Sequence, residues 1–365
     1  MRKKLLPLCL ALLLLLPACS GDKAEVTPTP PVEPTQVVTP TPEPSPMPND
    51  GPENPLTGMP ISEEWVNSRP IAIMLNNLKA ALPQQGQSQA DIIYECLAEG
   101  GITRMLGVYQ TVEGVGTIGS VRSSRPYYLE LALGHDAVYL HAGGSEDAYA
   151  DIKAWGVTAL DCVRGPYEGK APGSNLFWRD AERKKTMSSE HTVVTNGETI
   201  LNLFPTYTFR QEHQDGYSYV QAFADDGTPV NGETAGKIAV PFSSYKTGVF
   251  TYDAETGKYL VEEYGKAYID GNTGEQVGVT NVLVLKTACG IIKGDELGHI
   301  SVTVTGSGDG YFACGGKIIP IHWTKADRNS QYVYTTTDGK PLTLGRGSSY
   351  VNIVPLESAV TYGEV

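Results

Sequence analysis

The N-terminus constrains this chain more than any other segment. Residues 2–4 are all cationic, residues 5–16 are almost entirely apolar, and the small residue Ala18 stands directly before Cys19. A cationic start, a short apolar run and a small residue at the cleavage point are typical of a secretory signal, and a cysteine at its end is typical of a bacterial lipoprotein signal. The apolar run of about 12 residues is shorter than the roughly 20 that a permanent membrane helix needs.

We therefore predict that residues 1–18 are a lipoprotein signal peptide and that Cys19 becomes a lipidated N-terminus. Each methylene of a buried acyl chain such as palmitate contributes about 0.8 kcal/mol, so several chains give a durable membrane anchor. The expected location is the cell membrane, lipid-anchored and facing the outside of the cell. The alternative is an ordinary signal peptide in which Cys19 is incidental; the tether that follows directly favours the lipoprotein interpretation.

A proline-rich segment separates Cys19 from the rest of the chain. Eleven of the 25 prolines fall within residues 20–55, interleaved with Thr, Ser, Val and Glu. Such a composition cannot bury enough apolar surface to fold, and it favours an extended, solvated chain. We predict that residues 19–55 are a disordered tether, with a ligand for a proline-binding partner as the alternative.

The charge of the chain limits its partners. The net charge is −13, and loss of the three cations in residues 1–18 makes the mature protein still more acidic. Affinity for nucleic acid comes from Lys and Arg that neutralise phosphates, so we predict no nucleic-acid partner. The partners we expect are the membrane, through the lipid anchor, and an envelope glycan, peptide or protein.

Neither the cysteines nor the known short motifs indicate a metal or a cofactor. Cys96, Cys162, Cys289 and Cys314 remain after loss of the signal, with no CxxC pair. A Cys289–Cys314 disulfide is the most natural pairing, and free buried thiols are about as compatible with the sequence. HExxH, GxSxG, P-loop and GxGxxG motifs are missing as well, so we predict no metal site and no cofactor.

Hydrophobic patterning predicts an α+β fold with two consecutive domains. Residues 56–207 alternate strands and helices, which indicates an N-terminal α/β domain with a mixed sheet; its strands are expected at 70–75, 91–97, 102–111 and 136–141, and its helices at 123–134, from Ser145 onward and at 196–204. Residues 208–365 carry short strand patterns separated by Gly, Asp and Asn turns, which indicates a mainly antiparallel β domain. One continuous fold with two subregions is the alternative.

Charged residues cluster in sequence around the ends of the predicted N-terminal strands. Glu95, Glu99 and Arg104 lie around the EGGITR turn, and a second set is expected near the same end of the sheet: Arg122 and Arg125 at the start of the following helix, His141 at a strand end, and Ser145 as a helix N-cap. Ligands of open α/β sheets bind beyond the strand ends. The arginines, with the helix start, are suited to a carboxylate or phosphate.

The same residues permit two other interpretations. Glu95 or Glu99 beside His141 is suited to general acid–base catalysis, as in a hydrolase or transferase acting on the cell wall. Alternatively, the arginines pair with acidic neighbours structurally, His141 is a hydrogen-bonded strand end, and the glycines form a turn. The sequence leaves open whether the protein is an enzyme.

Several segments together resemble the YerB-like bacterial lipoproteins. They include RPIAIMLNN (69–77), EGGITR (99–104), IGSVRSSRPYYLELA (118–132), DAVYLHAGGS (136–145) and GSGDGYFACGGKIIPIHWTK (306–325). The resemblance covers about residues 56–356 and implies a lipid-anchored envelope protein of Gram-positive-type bacteria, with two consecutive domains and no assigned reaction. One departure is residues 186–191, where the resemblance implies an Ala-Pro-His-Asn-like segment. We expect a binding or scaffolding module for an envelope ligand or partner protein.

Overall fold

The computed structural model describes residues 51–365, so the predicted signal peptide, Cys19 and most of the predicted tether lie outside the described residues. These described residues belong to a single compact unit. Within the described part of the chain, every helix is too short or too polar to span a membrane.

The first part of this unit alternates short helices with strands. Its helices are α1 (Glu63–Val66), α2 (Pro126–Gly134), α3 (Glu146–Trp155), α4 (Arg183–Thr186) and α5 (Gly197–Leu203). Its strands are β1 (Ile71–Asn76), β2 (Ile92–Leu97), β3 (Thr103–Tyr109), β4 (Thr117–Gly119), β5 (Val138–His141), β6 (Ala159–Asp161), β7 (Trp178–Arg179) and β8 (Val193–Asn196).

The second part, residues 208–365, contains strands as its regular elements. They are β9 (Ala222–Ala224), β10 (Glu233–Thr234), β11 (Lys237–Pro241), β12 (Thr247–Asp253), β13 (Lys258–Glu263), β14 (Lys266–Ala267), β15 (Gly278–Val279), β16 (Asn281–Thr287), β17 (Cys289–Ile291), β18 (Ile300–Val302), β19 (Gly306–Cys314), β20 (Lys317–Lys325), β21 (Val333–Thr336), β22 (Thr343–Gly345), β23 (Ser349–Pro355) and β24 (Thr361–Gly363).

One eleven-stranded sheet runs through both parts. Its order is β10-β20-β19-β16-β23-β2-β3-β1-β5-β6, and β21 adds to β20. Strand β23 lies between β2 and β16 and is parallel to both, with Ser349 opposite Ile92 on one side and Asn281 on the other. The hydrogen bonds of this strand therefore join the N-terminal strands to the C-terminal ones.

Each face of this sheet is covered by its own apolar core, as the alternation of side chains along a strand requires. On β23, Tyr350 belongs to one core and Val351 to the other. The first core packs against the smaller sheet β14-β13-β12-β11-β24 and against α5. The second packs against α2 and α3. All six residues of β1 are buried, as expected for a strand covered on both sides.

The predicted α+β class, with a mixed sheet in the N-terminal part and antiparallel sheets in the C-terminal part, is confirmed. The predicted start of a helix at Ser123 is wrong: α2 begins at Pro126, because residues 122–125 are extended and Pro126 takes the first helical position. The boundary predicted between residues 207 and 208 stays a prediction. Among the described residues, Cys96, Cys162, Cys289 and Cys314 are free thiols.

Candidate functional site

The predicted site residues collect where strands of the N-terminal part end. Strands β1, β2 and β5 run in the same direction and stop at the same end of the large sheet, and the antiparallel β3 begins there. The extended segment 121–125 passes over these strand ends: the N–H of Arg122 donates to Met74 O at 2.9 Å, and the N–H of Ala142 donates to Arg122 O at 3.0 Å. This segment therefore brings Arg122 and Arg125 next to the loop that follows β5.

Glu99 lies between two arginines. The Nη2 atom of Arg104 lies 3.2 Å from Glu99 Oε2, and the Nε of Arg125 donates to Glu99 Oε1 at 2.5 Å. Burial acts to raise the pKa of Glu99, but the Arg125 hydrogen bond and the positive charge of Arg104 outweigh it, so that the pKa is lowered. Glu99 is therefore held as a carboxylate, which makes it a poor proton donor.

Arg122 completes what we call the arginine cluster: Arg104, Arg122 and Arg125 with Glu99. Sequence reasoning expected Arg122 at a helix start, whereas it lies in the extended segment before α2. Its guanidinium contacts the backbone oxygen of Glu190 at 3.2 Å and the Glu190 carboxylate at 3.4 Å. The Arg122 side chain is 15% exposed and that of Glu190 is 55% exposed.

The three arginines are close enough to affect one another. Burial and the positive charges of Arg125 and Arg122 lower the pKa of Arg104, against the opposing effect of Glu99. The Nε atoms of Arg104 and Arg122 are buried and have no hydrogen-bond partner among the described residues. Guanidinium groups with unused N–H donors, placed where the strands of a sheet end, are suited to bind a carboxylate or a phosphate.

His141 is a neutral imidazole with one free nitrogen. Its Nδ1 lies 2.8 Å from Gly143 O, and because a carbonyl only accepts, Nδ1 must carry the proton. Burial lowers the pKa of His141 despite the opposing charge of Asp161, so the ring stays neutral. Its Nε2 is therefore an acceptor, and it is buried with no partner among residues 51–365.

Ser145 is committed to helix structure. Its Oγ accepts the backbone N–H of Ala148 at 3.2 Å, as expected for an N-cap, and its own N–H donates to Ser124 O at 3.3 Å. The predicted cap is confirmed. The structure gives the hydroxyl of Ser145 this role in α3, next to the loop of Gly143.

Glu95 does not join the other predicted residues. Along β2, Tyr94 and Cys96 belong to the core on the helix-covered face, so Glu95 projects to the opposite face. Tyr139, and with it His141 two residues later, is on the helix-covered side. The large sheet thus separates Glu95 from His141, and the predicted acid–base pair of these two residues is wrong.

Instead, Glu95 belongs to a buried ionic cluster that sequence reasoning missed. Lys246 Nζ lies 2.7 Å from Glu95 Oε1 and is in direct contact with Glu263 Oε2, and the hydroxyl of Tyr350 donates to Glu95 Oε2 at 2.6 Å. We call these four residues the lysine cluster. The signal in the sequence was the single acid, Glu95, inside the otherwise apolar segment IIYECL; its partners come from more than 150 residues further along the chain.

Opposing effects set the protonation of the lysine cluster. Burial acts to lower the pKa of Lys246, but the charges of Glu263 and Glu95 outweigh it and raise the pKa. Burial and the charge of Glu95 raise the pKa of Glu263 to about 8. At neutral pH the cluster therefore holds a protonated lysine and a neutral Glu263.

Within residues 51–365, no group of three or more His, Cys, Asp or Glu side chains is arranged to hold a metal ion.

Most of the described chain matches known protein families and relatives. Residues 56–210 match the N-terminal domain, and residues 238–351 the C-terminal domain, of the family described as Protein of unknown function (DUF3048). A protein of Bacillus subtilis (strain 168) named "Putative lipoprotein YerB" is 28% identical over 309 residues, which are 82% of this chain and 86% of that protein.

A solved structure gives the same result for the fold. The crystal structure of YerB protein from Bacillus subtilis superimposes with a TM-score of 0.71 at 26% identity, over 85% of this chain and 99% of that chain. Along this chain, the match to the family's N-terminal domain precedes the match to its C-terminal domain. The chain therefore belongs to the YerB-like family of DUF3048 proteins.

Proposed function

We propose that this protein is a lipid-anchored extracytoplasmic binding module whose arginine cluster holds a carboxylate or phosphate group of an envelope ligand. The observation that carries the proposal is Arg122, a mostly buried guanidinium whose carboxylate contact, Glu190, is weak and exposed. In a protein of net charge −13, three arginines in mutual range form a local exception to the acidic surface.

A ligand that binds at this site displaces the Glu190 carboxylate from the guanidinium of Arg122. The Glu190 carboxylate lies 3.4 to 3.5 Å from the guanidinium nitrogens of Arg122, longer than the roughly 2.7–2.9 Å of a strong charged hydrogen bond. Exposed ion pairs contribute only about 0–1 kcal/mol, so moving Glu190 aside is inexpensive. A phosphate or carboxylate that binds Arg122 through two parallel hydrogen bonds gains more binding free energy than is lost when the Glu190 carboxylate moves away.

We propose a glycan bearing carboxylate or phosphate groups as the ligand class, because these groups fit the guanidinium groups of the arginine cluster. His141 keeps a structural role in this proposal: its side chain is 1% exposed and its Nε2 is buried, so a ligand does not reach it. Scaffolding of a partner protein through the same surface requires an acidic segment on that partner.

The test is retention of the protein on purified cell-wall fragments. Residues 49–365 are mixed with fragments that carry their anionic polymers, with fragments stripped of them, and with inorganic phosphate as competitor. We expect retention on the first, loss on the second, and competition by phosphate. Arg122→Gln should weaken retention at least about tenfold, as expected for loss of a charge-assisted bidentate contact. Glu190→Gln should strengthen it.

The matched control is Arg328→Gln. Arg328 stacks over the Trp155 ring, with its Cζ 4.5 Å from the ring centroid, and lies outside the arginine cluster. This variant should bind like the wild type. Equal retention of wild type and Arg122→Gln, with unchanged melting temperatures, would contradict the proposal.

Anchoring is tested separately in cells. Cys19→Ala should release the full-length protein from the membrane fraction into the medium or the envelope space. Protease added to intact cells without an outer barrier should degrade the wild type, as expected for an outward-facing protein. Membrane attachment that survives Cys19→Ala would rule out the lipid anchor.

A further inference from the structure

The lysine cluster places an amine against two carboxyl groups that are almost completely shielded from solvent. The side chains of Lys246 and Glu95 are 0% exposed and that of Glu263 is 1% exposed. Each comes from a different element: Glu95 from β2, Lys246 from the turn between β11 and β12, and Glu263 from the end of β13. The hydroxyl of Tyr350, on β23, closes the ring of contacts.

Aromatic rings surround the amine. Lys246 Nζ lies 5.3 Å from the centroid of the Phe242 ring and 5.7 Å from that of Tyr264. Phe250 packs edge-on against Tyr350, with ring centroids 5.0 Å apart. Keeping charges in such surroundings is expensive, because the desolvation penalty is several kcal/mol per ion. Any reaction that removes the charge from this site is favoured by the same penalty.

We propose that Lys246 and Glu263 condense into an intramolecular amide bond, with Glu95 as the proton acceptor. The geometry meets three requirements of this reaction. The nucleophile touches the carboxyl group that it attacks, a base touches the nucleophile, and the apolar enclosure disfavours the charged reactants relative to the neutral product.

The two carboxyl groups have different roles. Glu95 accepts hydrogen bonds from Asn77 Nδ2 at 2.8 Å, Thr103 Oγ1 at 2.5 Å and Tyr350 at 2.6 Å, which fix its oxygens as acceptors beside the amine. Glu263 contacts Lys246 and lies 3.4 Å from the Tyr350 hydroxyl. Burial raises the pKa of Glu263 to about 8, so it is the neutral carboxylic acid that an amine can attack.

The reaction balances without any additional reactant. The ammonium of Lys246 first gives a proton to the Glu95 carboxylate and becomes a neutral amine. Its lone pair then forms a bond to Cδ of Glu263, the bond between Cδ and the acid hydroxyl breaks, and a second N–H proton joins that hydroxyl to form water. The products are a neutral amide, a neutral Glu95 and one water. Glu263 also lines a cleft of about 360 Å³ with Tyr264 and Tyr268, which gives the water a way out.

The test is peptide mass spectrometry on the full-length protein, purified from membranes in detergent, denatured and digested with trypsin. An unmodified chain gives separate peptides 238–246, 247–258 and 259–266. The cross-linked chain is not cut after Lys246. It gives one species that joins 238–258 to 259–266 and is lighter than their sum by one water. Fragmentation of that species should place the link between Lys246 and Glu263.

Variants separate the chemistry from the fold. Glu95→Gln removes the proton acceptor and keeps the shape, so it should give the separate peptides from a protein that still folds. Lys246→Arg should do the same, because a guanidinium does not form the amide. Lys325 is the internal control in every digest: it is equally buried, but its Nζ donates to three backbone oxygens, including Asp327 O at 3.0 Å and Arg328 O at 2.9 Å.

The wild-type digest alone decides the proposal, whether or not the variants fold. Recovery of peptides 238–246 and 259–266 at their unmodified masses, in the amount of other peptides, would overturn it. A link from Lys246 to peptide 80–104, which contains Glu95, would overturn the assigned roles. A water loss that persists in Glu95→Gln at wild-type yield would overturn the role of Glu95 as the base.

Discussion

Asp136 shows how one residue can tie distant segments together. It has a left-handed backbone, with φ of 50°, and its carboxylate contacts three cationic or titratable side chains. Arg210 Nη1 donates to it at 2.8 Å, His213 Nδ1 lies 3.0 Å away, and Arg69 Nε lies 3.6 Å away. Burial acts to raise the pKa of Asp136, but the hydrogen bonds from His213 and Arg210 and the charge of Arg69 outweigh it and lower the pKa.

Asp136→Asn should therefore lower the free energy of unfolding at pH 7 by about 1–2 kcal/mol, less than a fully buried pair would lose because solvent partly reaches the site. Asn tolerates the left-handed conformation, so the backbone is not disturbed. A carboxyl with a lowered native pKa contributes stability above its unfolded value of about 3.8 and loses it as the pH falls through the native value.

Urea unfolding at pH 7 and in steps below pH 4 measures this contribution. The wild type should lose stability in the acid range, and the variant should lose less there. Asp309→Asn is the control, because Asp309 is exposed in its pair with His322. An identical acid loss in wild type and Asp136→Asn would contradict the assignment.

The two glutamates around the EGGITR turn illustrate what the sequence could tell at the level of residues. Glu99 lies in a turn, where local spacing to Arg104 was informative, and the structure pairs them. Glu95 lies within a strand, where its face is decided by alternation and its partner by tertiary packing. Lys246 is 151 positions away, and no local pattern links the two.

At the level of elements, α3 is the helix whose start the sequence predicted, whereas its end is given by the structure. Ser145 caps it, Glu146 and Asp147 occupy its first turn, and Gly156, with φ of 65°, ends it. All of these signals are local, because capping and turn chemistry act over a few residues. The pairing of β23 with β2 is the opposite case, since nothing near residue 350 indicates a neighbour near residue 93.

Ser145→Ala should lower the free energy of unfolding by about 1 kcal/mol, the usual value of an N-cap. Ser145→Asn should stay close to the wild type, because an Asn side chain caps equally well. Both are measured by urea unfolding at neutral pH. Retention on cell-wall fragments should be unchanged in both variants, since the Ser145 hydroxyl is bonded within α3. A loss of retention in Ser145→Ala without a loss of stability would make the hydroxyl a ligand contact instead.

At the level of the whole molecule, the large sheet couples the two sequence halves. Strand β23 completes the backbone hydrogen bonding of β2 from Ile92 to Cys96. The hydroxyl of Tyr350, on β23, also donates a hydrogen bond to the Glu95 carboxyl group. The class of each half was predictable from periodicity, because strand and helix patterns are local. That they share one sheet was not, because parallel pairing of distant strands leaves no signature in either segment.

Residues 49–207 produced alone should therefore fail to form a stable monomer. They would expose the hydrogen-bonding edge of β2 and the apolar face of the sheet that the C-terminal strands cover, because β23 and part of the first apolar core are supplied by residues beyond 207. We expect aggregation or a lack of cooperative unfolding for this fragment, against one cooperative transition for residues 49–365, both followed by circular dichroism during heating. Co-expression with residues 208–365 should restore soluble, folded material, because it supplies both β23 and Lys246. A fragment 49–207 that unfolds cooperatively as a monomer would show that the N-terminal half is an independent domain and that β23 is dispensable for it.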